Sequence, residues 1–223
     1  MRLEKTNWDL YYKKSGKVVK TTRNITQNIL LLLFKKYTVK PEKICEMGGA
    51  NSCFYRGIRN VYPDANYIVI DNNDTGLNLF MKNNSNDKNI ALVNKDLLTN
   101  NAPIINADIV FSIGLIEHFS KTDTAKIIRE HFRAVNNNAI VIISFPTPTF
   151  LYRIVRVFAE LAGIWRFPDE RPLLMDKVST EVSKYGEILE SFINWKIILT
   201  QGIIAIRPNV TGSEVDTIKL GEI

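Results

Sequence analysis

Four places along the chain carry residues whose types and order can do chemistry on a nucleotide-like ligand. Glu46-Met47-Gly48-Gly49-Ala50-Asn51-Ser52 follows a short apolar run and reads as a strand that stops at glycine, with a helix opening at about Ser52. Glycines at such a stop let backbone and ligand approach closely, and a helix start offers unpaired N–H groups and partial positive charge. Asp71 ends a second apolar run; a carboxylate at the C-terminal end of a strand can accept two hydrogen bonds from a ribose diol. Asp96-Leu97 follows a third run and Glu117-His118 a fourth. Histidine titrates near neutrality and a neighbouring carboxylate raises its basicity, so Glu117 and His118 are the candidates for acid–base work.

Each position also has a plainer reading. Asp71 can cap a helix, Glu46 can order the glycine loop, and Asp96 can be a turn residue. Adjacent residues on a helix point in different directions, so Glu117 and His118 need not form a dyad. His131 reads as a surface or packing residue.

To gather these side chains, strands must end along one edge. After the run before Gly48, apolar segments at 66–71, 89–93, 107–112 and 139–144 read as strands. Helices are predicted at about 52–61, through Leu77, Leu79, Phe80 and Met81, and over 122–135; Asn24 is predicted to cap a helix reaching about Tyr37. Strands apolar on both faces and alternating with helices predict a parallel sheet covered on both sides. A helix at about 176–192 is followed by strands at 195–200 and 203–207, separated only by Gln201-Gly202. Strands so close must pair antiparallel. The expected fold is α/β: a mostly parallel sheet of seven strands, a C-terminal antiparallel hairpin, and helices on both faces. Residues 1–223 are expected to form one domain, with 1–40 as an N-terminal cap and 145–175 as a substrate-lid insertion.

Composition is that of an ordinary soluble globular chain: 223 residues, 45% hydrophobic and 23% charged. The net charge is +6, and residues 1–43 hold 11 Lys/Arg against 3 Asp/Glu. That segment suits a solvated helix face or an anionic partner. Cys45 and Cys53 read as small buried hydrophobes; there is no disulfide framework or zinc spacing, and no metal is expected. The run at 29–34 is too short to span a bilayer and no signal-peptide region is recognised, so a reducing, cytoplasmic setting is expected.

The segment from Phe150 is aromatic and basic, and its Arg153, Arg156 and Arg171 are candidates to pair with a phosphate or carboxylate. Its apolar helix reads also as packed into the core with arginine stems along it, as a homodimer contact, or as a peripheral contact with a membrane surface.

Strands, helices and hairpin together resemble the class I S-adenosylmethionine (SAM) dependent methyltransferases, of the small-molecule type 11/12-like kind, over about residues 25–207. Residues Glu46 to Ser52 resemble that family's acidic-x-Gly-x-Gly-x-Gly loop, with Ala50 and Ser52 where the second and third glycines stand. Alanine keeps the loop slim, and serine can cap the helix behind it. Asp71 resembles the acidic residue on the ribose, Asp96-Leu97 the pair around adenine, and Ala107-Asp108-Ile109-Val110-Phe111-Ser112 through Glu117-His118 the fourth-strand motif. The resemblance implies a Rossmann-like fold and SAM as cofactor, with Glu46, Gly48, Gly49, Ala50, Asn51, Asp71, Asn72, Asp96, Leu97, Ser112 and Ile113 around it. Glu117 and His118 would stand at the catalytic end. It implies methyl transfer to an O or N atom of a small-molecule acceptor (a sugar, a lipid-linked or other anionic metabolite), favoured chiefly by orientation and a closed pocket. The alternatives are a SAM-binding scaffold or regulatory subunit without catalysis, and a nicotinamide dehydrogenase. The hairpin and irregular glycine spacing argue against the dehydrogenase. A nucleic-acid acceptor is disfavoured: the fourth strand lacks the Asn/Asp-Pro-Pro-aromatic motif that holds a flipped base, and no RNA-binding appendage is recognisable.

Overall fold

The structure is a computed structural model that describes residues 5–14, 20–99 and 105–223. Of the basic N-terminal segment, residues 1–4 and 15–19 therefore lie outside the described residues. The strands are β1 (Lys43–Met47), β2 (Asn66–Asp71), β3 (Ile90–Asn94), β4 (Ala107–Ile113), β5 (Val135–Pro146), β6 (Gly186–Asn194) and β7 (Gln201–Pro208). They form one seven-stranded sheet in the order β3-β2-β1-β4-β5-β7-β6. The first five run parallel, and β7 is antiparallel to both β5 and β6. β1 pairs with β2 on one side and β4 on the other, so the strand order reverses there and leaves a crevice beyond the C-terminal ends.

Strand alternation divides the core in two. Cys45, Met47, Ile68, Ile70, Val110 and Val141 join one cluster, while Ile44, Tyr67, Val69, Ile109, Phe111 and Ile140 join the other. The helices are α1 (Trp8–Lys14), α2 (Lys20–Tyr37), α3 (Tyr55–Val61), α4 (Asp74–Asn83), α5 (Lys121–Arg133), α6 (Phe150–Leu161) and α7 (Met175–Val182). Ile128 and Phe132 of α5 and Val178 of α7 cover the first face. Phe34 of α2, Ile58 of α3 and Phe80 of α4 cover the second. Burial on both faces explains the nearly unbroken apolar strands. Among the described residues, no helix is long and apolar enough to cross a membrane.

Several local expectations are corrected. Among the described residues α2 spans Lys20–Tyr37, so Asn24 lies inside it. The first crossover helix opens at Tyr55 because the Ser52 hydroxyl accepts the N–H groups of Phe54 (3.1 Å) and Tyr55 (3.2 Å), which delays it by a turn. Cys53 lies in that turn and is exposed, whereas Cys45 is buried as expected. α7 stops at Val182, and the second half of the expected helix is β6. Pairing with β7 decides this: Gly186 packs so tightly on Arg207 that an added Cβ would lie 2.3 Å from its carbonyl oxygen. Residues 195–200 are then the hairpin connection, and Gln201-Gly202 start β7. The apolar side chains of α6 are not packed into the core; Tyr152 is its buried residue.

Candidate functional site

The end of β1 turns sharply at Gly48, whose φ is 71° and whose N–H donates to the Ile70 carbonyl at 2.8 Å. A side chain here would be strained, and its Cβ would come within 2.6 Å of Leu115. A Cβ on Gly49 would lie 2.5 Å from the Glu46 carboxyl carbon. Glu46 is itself buried and accepts the Tyr67 hydroxyl at 2.5 Å. Burial pushes its carboxyl up to about 7, against the pull of hydrogen bonds from Ser52 and Tyr67.

Asp71 closes the other side of the loop. Its carboxylate accepts the N–H of Ala50 (3.1 Å) and of Asn73 (2.8 Å), bracing the loop against the end of β2. Burial raises its pKa, and these backbone bonds offset part of the rise. The Ala50 methyl points away from the loop's open side and fills the space that Gly76 of α4 leaves, where an added Cβ would meet it at 2.5 Å. The two departures from the glycine pattern thus have local reasons: Ala50 packs behind the loop and Ser52 caps the turn.

A cavity of about 750 Å³ opens in front of the loop, within the range of small-molecule sites. Glu46, Gly48, Gly49, Asn51, Asp71, Asn72, Asp96 and Ile113 line it, as do Glu117 and His118. Three expected residues do not. Ala50 contributes only its N–H to Asp71. Leu97 lies in the core and Leu98 takes the lining position. Ser112 is fully buried and bonds His131 Nε2 at 2.8 Å. His131 bonds the Ile127 carbonyl through Nδ1 (2.8 Å), and burial depresses it to about 4, so it is a neutral packing residue.

Glu117 and His118 sit on a short 3-10 turn, Ile116–His118, just after Gly114. His118 Nε2 is 3.8 Å from Glu117, but its close partner is Asp169, 3.0 Å from Nδ1. Asp169 lies in the segment that follows α6 and also accepts the N–H (3.1 Å) and hydroxyl of Thr6. Burial alone would depress the His118 imidazole, yet the Asp169 bond and the charges of Glu117, Asp169 and Glu170 hold it above its ordinary value. Burial opposes ionisation of Asp169, and the bonds from His118 and Thr6 outweigh it, leaving the carboxyl at about 2. Glu117 is pushed up to about 7, first by burial and then by the charge of Glu170, with His118 opposing. One Glu117 oxygen has no hydrogen-bond partner among the described residues. Glu117, His118 and Glu170 bring one ligand atom each within 4.8 Å of one another, so this corner has the donor set to hold a cation.

Trp8 packs edge-on against His118 (4.9 Å between centroids), and both Trp8 and Tyr11 reach Phe167 (6.0 and 5.3 Å). The N-terminal helix and the segment after α6 therefore meet as a roof over His118. The three arginines singled out from the sequence do not line the cavity. Arg171 donates to the Ile223 carbonyl (2.7 Å) and Thr124 hydroxyl (2.8 Å). Arg156 pairs with Glu160 (2.7 Å) and stacks on Trp165, and Arg153 is exposed on the outer side of α6. Among the described residues, the lysine and arginine that line the cavity are Lys5 and Arg23.

No family model matches this sequence, and no curated protein matches it. Solved structures do. The chain is similar to the N-methyltransferase NodS of Bradyrhizobium japonicum in complex with S-adenosyl-L-homocysteine (SAH), at 12% identity and a TM-score of 0.65, covering 84% of this chain and 87% of that one. It is similar to magnesium protoporphyrin IX methyltransferase ChlM of Synechocystis with bound SAH, at 11% identity and a TM-score of 0.66, covering 85% and 87%. An O-methyltransferase family protein of Burkholderia thailandensis matches at 11% identity and a TM-score of 0.67; 90% of this chain spans 59% of that protein. At such identities the likeness is one of fold, and the fold is the Rossmann-like methyltransferase fold.

Proposed function

We propose that this chain is a SAM-dependent methyltransferase acting on an O or N atom of a small-molecule acceptor. The observation that carries the reading is one cavity lined both by the Gly48–Gly49 loop, Asp71 and Asp96 and by the His118–Asp169 pair. The residues fit SAM. The loop is slim where a Cβ would collide, Asp71 stands at the end of β2 for the ribose hydroxyls, and Glu46 offers a carboxylate near the loop for the amino group. Asp96 and Leu98 would meet the adenine. Two neighbours in the same fold were solved with SAH, which supports the choice of cofactor.

SAM supplies an electrophilic methyl group on a sulfonium; this chain's residues position the acceptor and manage its proton. Asp169 holds the His118 Nδ1–H, which leaves the Nε2 lone pair facing Glu117 and the cavity. Nε2 is placed to take the acceptor's proton. Trp8, Tyr11 and Phe167 exclude water above it. Three carboxylates around His118 favour a neutral hydroxyl or an amine over an anionic acceptor group at that end. Calorimetric titration with SAM and SAH is the direct test: binding by the full chain is expected, and its absence overturns the reading.

A further inference from the structure

α6 is turned inside out. Its inner side holds Tyr152, whose hydroxyl donates to Glu170 and whose ring lines the cavity. The opposite side carries Phe150, Ile154, Val157, Phe158 and Leu161, which recur at helical three- and four-residue spacing as one apolar stripe. All five are exposed, Phe150 and Leu161 at 79% and Phe158 at 68%. The connection between β6 and β7 lies beside this helix, since the Thr147 N–H donates to the Thr200 carbonyl (3.2 Å) and the Thr149 and Thr200 hydroxyls bond (2.7 Å). That connection exposes Trp195 and Ile198, while its Ile197 and Leu199 line the cavity. The same two elements therefore form part of the cavity wall on one side and an apolar ridge on the other. An exposed apolar stripe of this kind marks a contact surface.

The charges beside the ridge are informative. Arg153, Arg166 and Lys196 are exposed around it, and Glu160, the acid on the same helix, is paired with Arg156 at 2.7 Å. Phenylalanine, leucine and tryptophan on one side with cations at the margin is the composition of a helix lying in a membrane interface. A second copy laid ridge to ridge would bring this cationic margin against itself. We propose that α6 and the β6–β7 connection dock this protein on an anionic bilayer surface, with the apolar ridge at the acyl boundary and the cations on the headgroups.

The test is co-sedimentation of the full chain with phosphatidylcholine–phosphatidylglycerol vesicles and with pure phosphatidylcholine vesicles, for wild type and Phe158→Asp/Leu161→Asp. Both substituted positions are exposed and away from the cavity, and an unchanged thermal melt checks that the variant is folded. Binding to the anionic vesicles that weakens with salt, and falls at least about tenfold in the variant, is expected. Failure of the wild type to sediment with anionic vesicles at low salt overturns the proposal, as does undiminished binding by the variant. A concentration-dependent dimer that the variant abolishes, without vesicle binding, overturns it in favour of a second copy. The vesicle readout does not depend on SAM, so its failure is separate from failure of the proposed activity.

Discussion

Asp71 has two jobs at once: its carboxylate holds the Ala50 and Asn73 N–H groups, and it faces the cavity. Asp71→Ala is expected to weaken SAH binding about 10- to 100-fold, since hydrogen bonds to a charged group contribute about 1.5–3 kcal/mol. Calorimetry reads this directly, and unaltered affinity would remove Asp71 from the site. At the other end, His118→Asn is expected to lower kcat about 10²- to 10⁴-fold if its Nε2 takes the proton. Asp169→Asn tests positioning by a different readout. The Asp169 carboxylate holds the His118 pKa up, and a base works only when unprotonated. Removing that charge should therefore move the acid limb of the kcat/KM profile to lower pH while reducing its plateau. A limb that stays in place would mean that Asp169 does not act through His118.

At the scale of elements, the loop after β1 and the roof over His118 make opposite demands. The loop must be rigid and thin. Gly48→Ala places a side chain at φ 71° against Leu115, and a loss of about 1–2 kcal/mol of unfolding free energy is expected from denaturant titration. The roof must open for ligands. α6 is anchored mainly by Tyr152, 1% exposed, whose hydroxyl donates to Glu170. Tyr152→Ala should accelerate amide exchange in α6 and the segment after it and raise KM, with a smaller effect on the melting of the sheet. Equal loss of protection in β4 and β5 would show that α6 is part of the global folding unit instead.

For the whole molecule, burying Glu46 and Glu117 beside the crevice couples stability to pH. Both carboxyls are pushed from the ordinary glutamate range to about 7, so the folded state holds protons that the unfolded chain has released. The resulting destabilisation is absent below the unfolded pKa, grows as pH rises through the interval up to about 7, and is then constant. His118 adds in the same direction: its folded pKa is raised, so its contribution is present at low pH and lost as pH rises through that value. Asp169 acts in a separate window, between about 2 and the ordinary aspartate range, where stability falls as pH falls. The unliganded protein is therefore expected to melt at a higher temperature near pH 5.5 than near pH 8. Glu117→Gln should flatten that difference by removing on the order of 1 kcal/mol of the pH-dependent stability. Thermal scans across the interval read both, and a variant with the wild-type slope would show that Glu117 is not the group responsible.

The features legible in the residues alone were local ones. Two-sided apolar runs specified β1, β2, β4 and the centre of β5; Gly48 marked the sharp turn; Asp71 was legible because it ends its run, and Asp96 because it follows one. Tertiary structure decided what depends on neighbours far along the chain. Residues 187–193 suit a helix or a strand, and the free edge of β7 made them β6. Leu97 and Leu98, or Ser112 and Ile113, differ by one step along the chain, and only tertiary packing says which of each pair meets the cavity. His118 meets Asp169 across 51 residues, and Thr6 meets the same carboxylate across 163. An acidic residue in an irregular segment carries no periodic signal for such a partner. The direction in which α6 turns its apolar stripe was likewise beyond the sequence. Amphipathic periodicity places the stripe on one face, but the bonds of Tyr152 and Arg156 to the segment that follows hold the other face inward.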